Sequence, residues 1–252
     1  MFLVVDVVGN TARACLFDQE GNLKSSTSAR LEKWNSLWEE VLKEGTPEAV
    51  LGLSVPYLST YCTLHKAPLK DAEEALELEV ERGLPCTEGK IHAELIETDL
   101  GTTVILSLLS EAFSEALKEI EEAVKLEAVM PRPMALFNAV ANERIPGISL
   151  AMELTEGVLT FAMCAEQEPV LAGEVDVSWM PLKEAVNSVA AKVGTVVPRG
   201  KGLKLYQSGF PEEALEPFLE WDLEKVELFG DFVEGLSGTG VLKGLYLLGF
   251  EE

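Results

Sequence analysis

Residues 2–17, which read FLVVDVVGNTARACLF, carry the pattern from which the fold can be inferred. The first seven are apolar apart from Asp6, which is typical of a strand buried on both faces. Gly9-Asn10-Thr11 is a turn signal, and the apolar residues after it predict a second strand. A polar turn at 18–22 then leads into a third strand. Three strands joined by short turns predict an antiparallel meander at the start of a domain.

The second half of the chain repeats this order of elements with little residue identity. Residues 148–154, 158–164 and 170–175 predict three short strands joined by turns. In each half, strand–helix units follow the meander. The pattern predicts a duplicated α/β fold, with the boundary between its halves at residues 144–147.

A further segment interrupts the first half between about Tyr57 and Pro131. Its predicted order is strand–helix–strand–strand–helix–strand. We therefore expect three structural units: residues 1–56 plus 132–146, an inserted subdomain at 57–131, and residues 147–252.

Composition and charge exclude several classes of function. The chain has 252 residues, of which 47% are hydrophobic and 25% charged, as in an ordinary globular protein. Its formal charge of −23 repels phosphate backbones and anionic bilayers, so we expect no nucleic-acid binding. No uncharged apolar run approaches the roughly 18 residues that a membrane span needs, so no direct membrane insertion is expected. The four cysteines are scattered, which argues against a disulfide framework or a zinc site. The N-terminus does not resemble a signal peptide, and a cytoplasmic location is expected.

Two tandem halves of this kind resemble the actin-like (RNase H-like) fold of the actin, hexokinase and Hsp70 ATPase superfamily. The inserted segment resembles the extra subdomain of FtsA and PilM proteins. Five stretches are similar to PilM sequence patterns: residues 69–85 (LKDAEEALELEVERGLP), 104–125, 129–136 (VMPRPMAL), 204–210 (KLYQSGF) and 240–249.

The families that this resemblance indicates are PilM of type IV pilus assembly and the cytoplasmic domain of GspL-type secretion proteins. Both are described as actin-like scaffolds of an inner-membrane platform. The resemblance implies a non-catalytic scaffold that binds the cytoplasmic tail of a membrane partner such as PilN, and an assembly ATPase such as GspE. It would lie at the inner membrane through its partner, with residues 57–131 and the groove beside them as the expected docking region. The resemblance does not distinguish a pilus from a secretion system, and it does not distinguish a monomer from a homodimer.

The resemblance also implies where a nucleotide would lie. Actin-like ATPases hold phosphates between two β-turns, one in each half, whose backbone N–H groups face the oxygens while a nearby Asp positions the metal. The first turn here comprises Asp6, Gly9, Asn10 and Thr11, with the glycine one residue later than in the family pattern. Hydrophobic sequence replaces the basic residue that often follows this turn in the family, unless Arg13 takes the place of that residue.

The second turn falls at Glu153, Thr155 and Gly157, with an extra carboxylate where a phosphate would lie. The adenosine-side element falls at Ser208 and Gly209, followed by a phenylalanine that would crowd a base. Because all three elements depart from the family pattern, we interpret them as a vestigial nucleotide site. No catalytic residue, cofactor or metal is assigned, and ATP with magnesium remains the alternative.

That alternative makes the chain an actin-fold ATPase or small-molecule kinase in which Asp6 and Glu153 organise Mg-ATP. The stretch DVVGNT also resembles the opening of type III pantothenate kinases, although the later elements of that family are absent. A buried Asp6 needs a partner, because an unpaired buried carboxylate is costly. The simplest partners are the backbone amides of Asn10 or Thr11.

Other side chains give weaker signals. His65 and His92 have no ligand at metal-binding spacing and are interpreted as partly exposed strand residues. The acidic helix at 71–81 is interpreted as a solvated face, with a docking surface for a basic partner as the alternative. An exposed member of the four tryptophans (Trp34, Trp38, Trp179 and Trp221) would be an interface anchor.

Overall fold

A computed structural model describes residues 1–31, 43, 45–54, 57–66, 69–70, 72–81, 89–144, 146–208, 210–227 and 239–250. The strands are β1 (Phe2–Val8), β2 (Thr11–Phe17), β3 (Leu23–Arg30), β4 (Glu48–Leu53), β5 (Leu58–His65), β6 (Gly89–Thr98), β7 (Gly101–Ser110), β8 (Lys125–Pro131), β9 (Ile148–Thr155), β10 (Val158–Ala165), β11 (Glu168–Asp176), β12 (Gly202–Ser208) and β13 (Asp222–Glu227). The helices are α1 (Ala72–Glu81), α2 (Glu111–Ala123), α3 (Arg132–Asn142), α4 (Leu182–Val196) and α5 (Gly240–Phe250), with a 3-10 helix at Glu212–Glu220.

The first sheet has five strands in the order β3-β2-β1-β4-β8. The opening meander is confirmed, since β1 pairs antiparallel with β2 and β2 with β3. β4 and β8 then add in parallel. Every residue of β1 is buried, which explains its continuous apolar sequence.

The second sheet has eight strands in the order β13-β12-β9-β10-β11-β5-β7-β6. Its centre is the second meander, β9 to β11, with β12 parallel to β9. Strands β5, β7 and β6 of the inserted segment extend this sheet beyond β11 through the pair Ala172–Cys62. The inserted subdomain predicted at residues 57–131 includes β8. In the structure, β8 pairs with β4 of the first sheet. The apolar face of α2 likewise packs into the core of that sheet.

Two helices fill the space between the sheets. α3 packs on β10 and β11, α5 packs on β1 and β4, and the two helices pack on each other. They cross closely at Gly244, where an added Cβ atom would lie 1.7 Å from the carbonyl oxygen of Ala135. On the outer faces, α2 covers the first sheet, and α4 with the 3-10 helix covers the second. Within the described ranges, no helix is long and apolar enough to cross a membrane.

Candidate functional site

The two predicted turns meet at the end of the central layer. Gly9 lies in the β1–β2 turn with φ +56°, and Glu156 and Gly157 form the β9–β10 turn with φ +49° and +76°. The Thr11 hydroxyl donates to Glu156 Oε2 at 3.5 Å. A Cβ atom on Gly9 would lie 3.7 Å from the Glu156 carbonyl oxygen. The turns of the two halves are therefore in contact.

Asp6 lies below these turns and is bound by two arginines. Arg13, its neighbour across the β1–β2 pair, donates to Asp6 Oδ2 from Nε at 3.1 Å and from Nη2. Arg132 donates from Nε to Asp6 Oδ1 at 2.7 Å. The expectation that the amides of Asn10 or Thr11 satisfy this carboxylate is not borne out, because guanidinium groups bind both of its oxygens.

Arg132 joins the two sheets. It is the first residue of α3, and its side chain is completely buried. Besides Asp6 on the first sheet, it binds three residues on the second: Nη1 donates to Thr160 Oγ1 at 2.6 Å and to Glu174 Oε1 at 3.1 Å, and Nη2 to Glu153 Oε1 at 3.3 Å. One guanidinium thus binds carboxylates from both halves of the molecule.

Glu153 connects this network to the start of α5. Its Oε1 accepts from the Thr155 hydroxyl at 3.0 Å and lies 3.6 Å from Arg13 Nη2. Its Oε2 accepts from the backbone N–H of Val241 at 3.1 Å, in the first turn of α5. The positive end of the helix dipole, about half an elementary charge, therefore faces this carboxylate. Two guanidiniums and one helix N-terminus thus face three carboxyl groups, those of Asp6, Glu153 and Glu174.

The electrostatics of the network favour its charged forms. Burial alone would raise the pKa of Asp6, but the attraction of Arg132 and Arg13 and their hydrogen bonds outweigh it, so the pKa lies below its usual range. Burial alone would lower the pKa of Arg132, and the carboxylates of Asp6, Glu174 and Glu153 outweigh that effect and raise it. Asp6 and Arg132 therefore form an ion pair rather than a pair of neutral groups.

The structure brings most of the predicted site residues together. Asp6, Gly9, Asn10, Thr11, Glu153, Thr155 and Gly157 lie at the two turns and the strands that lead into them. Ser208 joins them at the end of β12, where it pairs with Glu153 in the strand register. Gly209 lies outside the described residues. Sequence reasoning missed Arg132, Thr160 and Glu174.

The sequence around Arg132 reads Pro-Arg-Pro, a pattern that by itself indicates only a break between elements. A signal was present, since a carboxylate in the middle of a buried strand requires a cation or several donors. The strand pattern does not say which arginine supplies them. Glu174 is 42 residues from Arg132 along the chain, and only the tertiary fold relates them.

Between the inserted segment and the first sheet lies a groove of about 500 Å³. One wall comes from β5, β6 and β7, and the other from β8 and the start of α3. Its lining is mostly apolar: Leu58, Ile91, Ile105, Leu109, Val129, Met130, Pro131 and Met134, with His92, Glu94 and Ser107 as the polar members. We call this the β6–β8 groove.

The two histidines have different environments. His92 is exposed and lines the β6–β8 groove, as expected for a partly exposed strand residue. The same expectation is wrong for His65, which is buried with Nε2 2.7 Å from Glu79 Oε1. Glu79 is also buried, so the acidic helix is not entirely a solvated face. Of the tryptophans, Trp221 is buried, Trp179 is exposed, and Trp34 and Trp38 lie outside the described residues.

Comparison with known proteins identifies the fold. No protein-family profile and no curated protein sequence matches this chain. Among solved structures, a chain of the PilM–PilN type IV pilus biogenesis complex is similar with a TM-score of 0.65 at 15% identity, covering 99% of this chain and 98% of that one. The cytoplasmic domain of EpsL, an inner-membrane component of the type II secretion system of Vibrio cholerae, is similar with a TM-score of 0.57 at 14% identity, covering 100% and 96%.

A third similar structure is a Bacteroides thetaiotaomicron protein with an actin-like ATPase fold and unknown function. Its TM-score is 0.58 at 9% identity, and the match covers 88% of this chain and 90% of that one. The resemblance to PilM and to the cytoplasmic domain of GspL-type proteins is thus confirmed at the level of the fold. The chain has the actin-like ATPase fold, with duplicated α/β halves.

Proposed function

We propose that this protein is a non-catalytic scaffold of the inner-membrane platform of a type IV pilus or type II secretion system. The observation that carries the proposal is the network around Arg132. In an actin-like ATPase the carboxylates beside the two turns organise the metal ion. Here Asp6 and Glu153 are both bound to Arg132 at 2.7 and 3.3 Å. Mg²⁺ would have to displace a buried guanidinium before it could reach either carboxylate.

The β6–β8 groove supports the binding of a membrane partner's tail. Cytoplasmic segments next to a membrane span are rich in Lys and Arg. An acidic chain with a formal charge of −23 attracts such a segment, and Glu94 supplies a carboxylate at the groove itself. The apolar lining fits the aliphatic side chains of an extended peptide. The similarity to a chain of the PilM–PilN complex supports a PilN-like tail as the occupant.

The same charge supports attachment through a partner instead of through lipid. The cytoplasmic leaflet carries a negative surface potential, which repels a strongly acidic protein. We therefore place the protein in the cytoplasm, held at the inner membrane by the tail it binds. The assembly ATPase, a GspE-like protein, is the second partner that this function implies.

Calorimetric titration with Mg-ATP tests the non-catalytic part of the proposal. We expect no binding heat at millimolar ligand, because the carboxylates are already paired. Micromolar binding, accompanied by phosphate release, would instead establish the actin-fold enzyme alternative.

A synthetic peptide of a PilN-like cytoplasmic tail tests the groove. Ile91→Arg places a positive charge on the groove wall and should weaken binding by about tenfold or more, which corresponds to 1.4 kcal/mol. Leu100→Arg is the matched control, because Leu100 is 41% exposed against 42% for Ile91 but lies in the β6–β7 turn outside the groove. Equal affinity in the two variants would refute the groove as the docking site.

A further inference from the structure

A second surface lies on the opposite half of the molecule, in the loop between β11 and α4. Trp179 in this loop is 86% exposed, and Met180 beside it is also exposed. Trp is a large side chain that folded proteins bury for most of its area, so an indole presented to solvent is unusual. Where protein surfaces associate, Trp is among the residues that contribute most to binding.

Hydrogen bonds order the start of this loop. The Asp176 carboxylate accepts from the backbone N–H of Ser178 at 2.8 Å and from the Ser178 hydroxyl. These bonds lower the pKa of Asp176, with the Ser178 hydroxyl as the largest cause. An ordered anchor loses less conformational entropy on binding than a mobile one.

The loop is also tied to the β9–β10 turn. The backbone N–H of Val177 donates to the Gly157 carbonyl at 2.8 Å. Glu156, the preceding residue of that turn, is exposed, as is Asp176. Asp176 and Glu156 therefore lie at the same edge of the second sheet as the loop that carries Trp179. We call Trp179, Met180, Asp176 and Glu156 the Trp179 surface.

We infer that the Trp179 surface binds an Arg- or Lys-bearing segment of a protein partner, with the cation over the indole and flanked by the carboxylates. A cation over a Trp ring is attracted by its quadrupole, and neighbouring carboxylates strengthen that attraction. The acidic charge of the chain argues against an anionic membrane and against a second copy of the chain as the occupant. This surface shares no residue with the β6–β8 groove, so both can be occupied at once.

The indole N–H resonances of the full chain provide the test. The chain has four tryptophans, and Trp179→Phe identifies the resonance of Trp179. Capped hexa-arginine, titrated at 0.15 M salt, should shift that resonance saturably. Trp179→Ala should weaken the binding roughly two- to fivefold, the size of an exposed cation–π contact. Leu219→Ala is the control, since Leu219 is 68% exposed and should leave the affinity unchanged.

Three results would overturn the inference. Equal affinity for the wild type and Trp179→Ala would mean that the peptide binds elsewhere on the acidic surface. Binding to anionic or zwitterionic vesicles that is lost in Trp179→Ala would identify a membrane as the occupant. Self-association in sedimentation velocity that is lost in the same variant would identify a second copy of the chain.

Discussion

Replacing Arg132 with methionine should cost more stability than any other single ion-pair change among the described residues. Methionine keeps much of the side-chain volume but removes the guanidinium, so Asp6 and Glu153 keep Arg13 beside them while Glu174 loses its ion pair with Arg132. Breaking a buried pair by removing one partner costs about 3–5 kcal/mol. Because Arg132 binds three carboxylates, we expect a loss near the upper end of that range.

Urea unfolding followed by circular dichroism measures this loss. With an m-value of about 3 kcal/mol/M, a loss of about 4 to 5 kcal/mol lowers the midpoint by about 1.5 M. Arg199→Met is the matched control, because Arg199 pairs with Glu220 at 2.6 Å but both side chains are largely exposed. An exposed pair contributes only about 0–1 kcal/mol, so this midpoint should change little.

The comparison isolates burial as the cause. If Arg132→Met loses no more stability than Arg199→Met, then the network does not hold the two halves together and the reasoning fails. The double variant Arg132→Met with Glu153→Gln should recover part of the loss, because one uncompensated charge is removed. Strict additivity of the two single effects would contradict a coupled network.

Further predictions concern the packing of the central helices, the reactivity of a buried thiol and the stability of the fold at low pH. Gly244→Ala should destabilise the protein by about 1–3 kcal/mol or more in a thermal melt, because the added Cβ atom would meet the Ala135 carbonyl. Gly202→Ala is the control, since no atom lies within 4 Å of an added Cβ there, and it should be nearly neutral in the same melt. Cys62, whose pKa burial raises to about 12, should react with Ellman's reagent only after unfolding. Because the pKa of Asp6 is lowered in the folded protein, its ionisation should stabilise the fold at pH values above 3.8, the ordinary pKa of an aspartate, and this stabilisation should be lost as the pH falls below that value. Asp6→Asn should lack this contribution to the pH dependence of acid unfolding.

The sequence predicted the order of elements well, because strands and helices leave local patterns. The meander at Phe2–Phe17 follows from apolar runs and a turn, and the α2 stripe follows from its 3.6-residue period. The sequence also predicts a helix at residues 211–219, and the structure forms a 3-10 helix there, at Glu212–Glu220. Pro217 inside it lacks the backbone N–H that a regular α-helix needs.

The pairing of charges could not be predicted in the same way. Asp6 was recognised as a buried carboxylate, but its partner Arg132 lies on another element 126 residues away. His65 and Glu79 likewise belong to a strand and a helix, and their contact depends on how α1 lies on the inserted sheet. Side-chain pairing of this kind follows from tertiary packing, which neither periodicity nor turn chemistry specifies.

The connections of Asp6 also have a consequence for synthesis of the chain. Arg13 is seven residues away and can pair with Asp6 as soon as the first hairpin leaves the ribosome. Arg132 follows 126 residues after Asp6, a delay of roughly 6 to 25 s at about 5–20 residues per second. Of the two arginines that bind Asp6 in the folded protein, only Arg13 is present during that interval. An isolated hairpin is at best marginally stable, so the Asp6 carboxylate gains its full complement of partners only when Arg132 has been made.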